Sequence, residues 1–339
     1  MHQKLLFLLL VIMPSFLYAQ SYNKLHFKSI VVDTHNDLLS KAVDDNLTID
    51  TDLSGKTHSD IDRFKKGGVD VQLFSVWCDG LKENPYAWAN REMDTLDAVI
   101  KRNPEKISLS GTHMIENKLD NLNNFYNRGV RYMTLTWNNS TDWASSAWDE
   151  TINADKLKQK GLTDFGKQVI RRMNELGMII DVSHVGEQTF YDAIAVTNKP
   201  IIASHSCVHA LCSVPRNLKD EQIKAIGKNG GVIHLNFYSG FIDSSYDRRS
   251  DIFNSRHKAE LDSLLKINPE PYFANEYLFK KYPEEVKSLR PPLSMLIDHL
   301  DYIVKMIGVD HVGIGSDFDG INSAPQQLDD VTNLPLFTK

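Results

Sequence analysis

The chain has little cysteine. Cys78, Cys207 and Cys212 are the only three in 339 residues, an odd number that excludes a disulfide framework. Their spacing contains no CxxC pair, so they read as buried thiols rather than as a redox or zinc motif. Runs of Lys or Arg are also missing and the formal net charge is -6, which excludes the electrostatic footprint of a nucleic-acid binder. There is no internal repeat and no low-complexity tract. After the first twenty residues, no apolar stretch approaches the roughly 20 residues needed to span a bilayer.

The first residues, MHQKLLFLLLVIMPSFLYAQS, place Lys4 before an apolar run from Leu5 to Met13, then Pro14 and the small or polar pair Ala19 and Gln20. This is the layout of a secretory signal peptide. Residues 1–19 are expected to be cleaved and the rest exported, to the periplasm or outside the cell.

The remaining 20–339 reads as one catalytic domain. Apolar, β-branched runs alternate with segments of helical spacing, the pattern of βα units around a parallel sheet. Strands are expected at Ile30–Asp33, Val69–Val76, Ile107–Leu109, Tyr132–Thr136, Met178–Val182, Ile201–Ser204, Val232–Asn236 and His311–Gly315. Eight is the number of a TIM (β/α)8 barrel. Phe165, Val169, Ile170, Met173 and Leu176, and later Leu293 to Ile307, recur at helical spacing as core faces. Between about 240 and 292 the sequence loosens into charged, Tyr- and Pro-containing stretches, an insertion of the kind that builds lids over barrel mouths. The third unit is compressed and polar, and only 24 residues follow Gly315, which leaves a short C-terminal end.

Candidate chemistry gathers at strand ends. In VVDTHNDLL, His35 and Asp37 lie two apart, so on extended backbone both point to one side and can reach one ion. His184 closes the strand of MIIDVSHVG and His205 that of KPIIASHSCVH. Strand-end residues of a parallel barrel converge on its mouth, where barrel enzymes work. In HVGIGSDFDG, Asp317 faces the same space and suits general acid or base work, while Asp319 reads as a turn carboxylate. Gly313, Gly315 and Gly320 permit close backbone approach. His58, His209, His234 and His299 read as ordinary loop, helix or strand histidines.

These pieces resemble the membrane dipeptidase (renal dipeptidase) family of zinc peptidases, metallopeptidase family M19, from about Val31 onward. The resemblance rests on VVDTHNDL, THSDIDRFKKGGVDVQLFSVW, LDNLNNFYNRGVRYMTLTW, IIDVSHV, IIASHS, SVPRN, HLNFY and VGIGSDFDG. It implies a metal-dependent hydrolase barrel with two zinc ions, one held by His35 and Asp37 and the other by His184 and His205. It further implies a bridging hydroxide that attacks a dipeptide, Arg216 on the substrate carboxylate, and Asp317 as the proton shuttle. The expected partner is a dipeptide substrate, and the family resemblance admits a homodimer.

The sequence departs from the family at two places. Where the family reads Glu-Gly-Gly-His, with the Glu bridging both metals, this chain has Ser110, Gly111, Thr112 and His113. With less charge neutralisation, the second metal is expected to bind more weakly. Glu116 is the nearest carboxylate and reads as a solvated first-turn residue; His113 is expected beside the site rather than in it. At the end of the fourth strand, Trp137 stands where the family often has a His. It serves either as an aromatic wall or as a neutral donor, with Asn138 or Asn139 as substitute oxyanion donors. An alternative of another class follows from Ser110: a degenerate relative that binds peptides without hydrolysing them. A third is a barrel amidohydrolase acting on cyclic amides or esters.

Overall fold

The computed structural model describes residues 22–78, 82–103, 111–112, 114–269 and 271–339. The proposed leader, residues 1–19, lies outside them, as do Ser110 and His113.

The short strands all pair in parallel. They are β1 (Val32–Asp33), β2 (Val71–Gln72, resuming as Ser75–Val76), β3 (Gly111–Thr112), β4 (Tyr132–Thr134), β5 (Ile179–Asp181), β6 (Ile202–Ala203), β7 (Val232–Leu235) and β8 (Val312–Ile314). The first half of β2 pairs with β1, Val32 opposite Val71, and the second half pairs with β3, Ser75 opposite Gly111. Only Leu73 and Phe74 separate the halves. The two edges of the sheet are therefore one strand, and the sheet closes on itself with β1 also paired to β8, Asp33 opposite Ile314. This is the eight-stranded barrel expected from the alternation.

The third strand is described only in part. The paired residues are Gly111–Thr112, whereas the Ile107–Leu109 run lies outside the described residues. Gly111 pairs with Ser75 on one side and Tyr132 on the other.

Helices pack outside the barrel through the stripes read from sequence. The helix Asp164–Leu176 starts at Thr163, whose hydroxyl accepts the Gly166 N–H, and stops at Gly177 in the left-handed conformation, φ 73°; this is the cap pairing that ends helices. Val169, Ile170 and Met173 on its inner face are fully buried. The helix Leu293–Ile307 buries Leu296, His299 and Ile303. His299 is a satisfied core histidine: its Nδ1 accepts the Val208 N–H at 3.0 Å and its Nε2 lies 3.0 Å from the Ile242 carbonyl.

Between β7 and the helix Leu293–Ile307 lie five α-helices, Ser239–Ile242, Tyr246–Arg256, Lys258–Ile267, Pro271–Lys281 and Pro283–Lys287. The last four share a small apolar cluster of their own, built on Tyr246, Phe253, Leu278, Phe279, Val286 and Leu289, while Ile242 packs into the main core. After β8 the chain makes only the 3-10 turn Val331–Asn333 and the helix Leu334–Phe337. No helix of the described residues is long and apolar enough to cross a membrane. All three cysteines are buried and unbridged.

Candidate metal centre

The strand ends bring His35, Asp37, His184, His205 and Asp317 into one cluster at the C-terminal mouth. One ligand atom each from His35, Asp37 and Asp317 lies within 4.8 Å of the others. His35 Nε2 is 3.4 Å from Asp37 Oδ2 and 3.8 Å from Asp317 Oδ1. The His35 and His205 rings stack with centroids 3.7 Å apart, and His205 Nε2 meets His184 Nε2 at 2.9 Å. Asp317 thus sits among the ligands and not merely opposite them. Its free oxygen leaves Oδ2 to accept from Asn236 Nδ2 at 2.8 Å.

Each imidazole is backed by a different group. His35 Nδ1 lies 3.1 Å from the Tyr132 hydroxyl, whose own proton goes to the Thr34 carbonyl at 3.1 Å. His205 Nδ1 lies 2.7 Å from Ser204 Oγ, whose proton goes to Asp181 Oδ2 at 2.6 Å. His184 Nδ1 lies 3.0 Å from Asn138 Oδ1. Since the two hydroxyls have spent their donors and Asn138 Oδ1 has none, all three Nδ1 atoms carry the hydrogen. Each Nε2 is then the nitrogen placed to reach a metal, the way metal-binding histidines are oriented. Three imidazole nitrogens and two carboxylates form an N and O donor set that suits zinc, so the residues present fit the metal that the resemblance implies.

The electrostatics agree with a cation-seeking pocket. Burial opposes protonation of His35, yet Asp37 and Asp317 outweigh it and push its pKa up to about 9. Burial raises Asp317 to about 7, with His35 pulling down and Asp37 adding to the rise. At Asp37, burial is outweighed by His35 and the carboxyl ends below its ordinary range. His205, buried beside His35 and His184, falls well below the usual imidazole value.

Several supporting residues escaped the sequence reading. Asp33 is fully buried; it accepts from the Ser316 N–H at 2.8 Å and hydroxyl at 2.6 Å, and from the His35 N–H at 3.3 Å. Asp181 is also fully buried and accepts from Ser183 N, Ser204 N, Ser204 Oγ and Thr134 Oγ1 at 3.0, 2.8, 2.6 and 2.6 Å. These two acids tie the ligand-bearing strand ends together. Their signal was present: a carboxylate inside an apolar strand, two or three residues before a ligand, in VVDTH and IIDVSH. Gly320 has a steric role, since a Cβ there would stand 2.1 Å from Asp37 Oδ2 and 2.6 Å from Asp317 Oδ1.

The remaining candidates are placed as follows. Arg216 is buried, with Nη2 3.3 Å from the His205 carbonyl and Nε unpartnered. Burial brings it down to about 10, so it stays cationic at neutral pH. Trp137 is half-buried, its ring 4.9 Å from Trp77 and 6.5 Å from His184, which makes it part of an aromatic wall. Asn138 corrects the expectation in part: its oxygen orients His184, so only its amide nitrogen remains for an oxyanion. Asn139 is exposed and turns to the Ser140 carbonyl at 3.4 Å. Glu116 is not in a helix's first turn; it lies in a loop at φ 48° and accepts from the Tyr86 N–H at 3.1 Å. Asp319 holds the loop ahead of the helix Ile61–Lys66, accepting from the His58 N–H at 2.5 Å and from the Ser59 hydroxyl.

The chain is similar to known proteins. The sequence pattern of the membrane dipeptidase family (peptidase family M19) matches residues 19–110 and 105–339, two stretches that meet where the third unit is short. An uncharacterized dipeptidase of Schizosaccharomyces pombe is 29% identical over 348 residues, spanning 90% of this chain and 72% of the yeast protein. Among solved structures, the probable dipeptidase PvdM of Pseudomonas aeruginosa superposes with a TM-score of 0.73 at 22% identity, covering 94% of this chain and 90% of that one. A metallopeptidase of Rhodobacter sphaeroides, solved with a phosphinate mimic of the dipeptide L-Ala-D-Ala, has a TM-score of 0.69 at 23% identity, covering 91% of this chain and 90% of its own. At these identities the two structures speak to the fold, and the family pattern, matched over nearly the whole length, decides the kinship: the chain belongs to the membrane dipeptidase family, peptidase family M19.

Proposed function

We propose that this protein is an exported, zinc-dependent dipeptidase. The observation that carries the reading is the trio of imidazoles whose Nδ1 atoms are all engaged from behind, with His35, Asp37 and Asp317 gathered within 4.8 Å and His205 Nε2 2.9 Å from His184 Nε2. His35 and Asp37 would hold one zinc, His184 and His205 the other, with Asp317 adjoining the first pair. Zinc, when bound, supplies Lewis-acid activation of water and of the scissile carbonyl.

The chain's own residues do the rest. Arg216 pairs with the substrate carboxylate through a guanidinium that burial has stripped of water. The Trp77 and Trp137 rings wall the site, and Asn138 Nδ2 faces the oxygen on which charge develops. As water adds to the carbonyl carbon and the C–N bond breaks, Asp317 Oδ1 takes the water proton and returns it to the leaving amine. Support for export is the N-terminal sequence.

Metal analysis of the purified mature protein, joined to an assay of amino-acid release from dipeptides, tests the reading. Bound zinc, lost together with activity on chelation and accompanied by a fall in melting temperature, is the expected result. A well-folded, zinc-replete preparation that holds no zinc would overturn it. Ser110→Glu addresses the degenerate alternative: zinc that binds the parent without hydrolysis, and a large gain of hydrolysis in the variant, would mark the present chain as a peptide binder.

A further inference from the structure

Arg216 is a buried cation with few polar partners. Among the described residues no carboxylate pairs with it. Its hydrogen bond from Nη2 to the His205 carbonyl is long at 3.3 Å, and Nε has no partner. An unpaired buried charge is costly, and a long side chain fixed by one weak bond keeps much of its rotamer freedom. The guanidinium meets a ring instead: its Cζ lies 5.3 Å from the centroid of Phe241, within the range over which a π face attracts a cation.

Phe241 lies on the short helix Ser239–Ile242, the first after β7, and is half-buried. The loop that carries Arg216 is tied to this helix through the next residue. Asn217 Nδ2 donates to the Phe241 carbonyl at 2.7 Å and to the Cys212 carbonyl at 2.8 Å, and Asn217 Oδ1 accepts the Cys207 N–H at 3.2 Å. The helix is anchored in turn where the Ser239 N–H donates to the Ser323 carbonyl at 2.9 Å, and the Tyr238 ring meets the Phe241 ring edge to face at 5.1 Å. The ring is therefore held in place from its own side. A carboxylate in its position would neutralise Arg216 and compete with the carboxylate of a ligand. A ring lowers the cost of the buried charge but supplies no oxygen to compete for the N–H donors, which stay available for a bidentate partner.

We infer that Phe241 is a positioning residue that holds the Arg216 guanidinium ready for the terminal carboxylate of the substrate. The inference rests on the dipeptidase reading above, in which Arg216 meets that carboxylate. It makes the first helix after β7 the back of the carboxylate pocket.

The experiment titrates the zinc-loaded full chain calorimetrically with a phosphinate dipeptide mimic, once with its free carboxylate and once as the C-terminal carboxamide. Phe241→Leu keeps an apolar side chain and removes the π face. Trifluorophenylalanine at the same position keeps the shape of the ring and weakens its negative face. Affinity for the carboxylate mimic is expected to fall about tenfold in Phe241→Leu and about threefold with the fluorinated ring. Affinity for the carboxamide should stay within about twofold, and the fluorinated protein should melt like the wild type. In hydrolysis of a dipeptide, the same loss is expected in KM, with kcat within about twofold. Unchanged or higher affinity of the fluorinated protein for the carboxylate mimic overturns the inference. An equal loss for both mimics also overturns it, marking the ring as structural support only, and neither result touches the dipeptidase reading. A wild type that binds neither mimic overturns that reading and the inference with it.

Discussion

The three clustered imidazoles differ mostly in what stands behind them: a tyrosine, a serine handed on to a buried aspartate, and an asparagine amide. The candidate ligands were legible as candidates because each closes an apolar run, and HxD on extended backbone has a simple geometric meaning. Their supports were legible only in part: Asp33 and Asp181 stand out as carboxylates inside apolar strands, but the contacts they serve join strands far apart in sequence, and Asn138 shows its position but not which ring its oxygen meets. Gly320 is another residue whose role emerges only in three dimensions. Gly320→Ala would push a methyl into the Asp37 and Asp317 carboxylates, 2.1 and 2.6 Å from the new carbon. Zinc affinity is expected to fall roughly 10- to 100-fold with little change in melting temperature, as read by competition against a chromophoric chelator. Unchanged affinity would show that the carboxylates have room to move.

Among the elements, most strands were found where alternation and β-branched content placed them, and of β3 only Gly111–Thr112 falls among the described residues. A two-residue strand containing glycine has no hydropathic signature, and its position is dictated by the strands on either side. His234 was read as a strand residue with no ligand role, and the register shows why it is tolerated. It faces Gly313 across β7 and β8, where a Cβ would come within 2.7 Å of the imidazole, and its Nδ1 donates to the Ala203 carbonyl at 3.1 Å. Burial depresses its pKa to about 4. Because the folded value lies below the unfolded one of about 6.5, the unfolded chain binds the extra proton between them. The contribution is complete above pH 6.5 and is lost as pH falls toward 4, amounting to about 2 kcal/mol at pH 5. Urea unfolding of metal-free protein at pH 7 and pH 5 should therefore show a larger loss for wild type than for His234→Gln, by about that amount. Parallel losses would mean that the imidazole protonates without cost.

Over the whole molecule, the site draws its ligands from β1, β5, β6 and β8, so it exists only when the barrel is closed. The number of strands was legible from periodicity; closure was not, because it depends on β2 breaking at Leu73 and Phe74 and offering one half to each neighbour. The insertion was visible as a change in composition, but its packing into a separate apolar cluster was hidden among Tyr, Phe and Leu residues in a charged stretch. An ion that joins four strands should stabilise the fold as a unit. At a zinc concentration a hundred times the dissociation constant, the gain is about 2.7 kcal/mol, and it should appear as one cooperative upward shift of the thermal transition. A shift confined to a local subtransition would argue against an intact barrel around the metal.

The pairing of Asp33 with Ile314 has a consequence in time. These partners are 281 residues apart, and contacts of such sequence separation are slow to form because loop-closure entropy must be met before the contact repays it. As the polypeptide emerges, His35 and Asp37 are among the first parts of the site to appear and Asp317 is the last. Uptake of zinc by this corner therefore reports that the final strand has docked. In refolding experiments, the rise of zinc occupancy at His35 should coincide with the slowest phase of chain assembly, making the metal a clock for completion of the barrel.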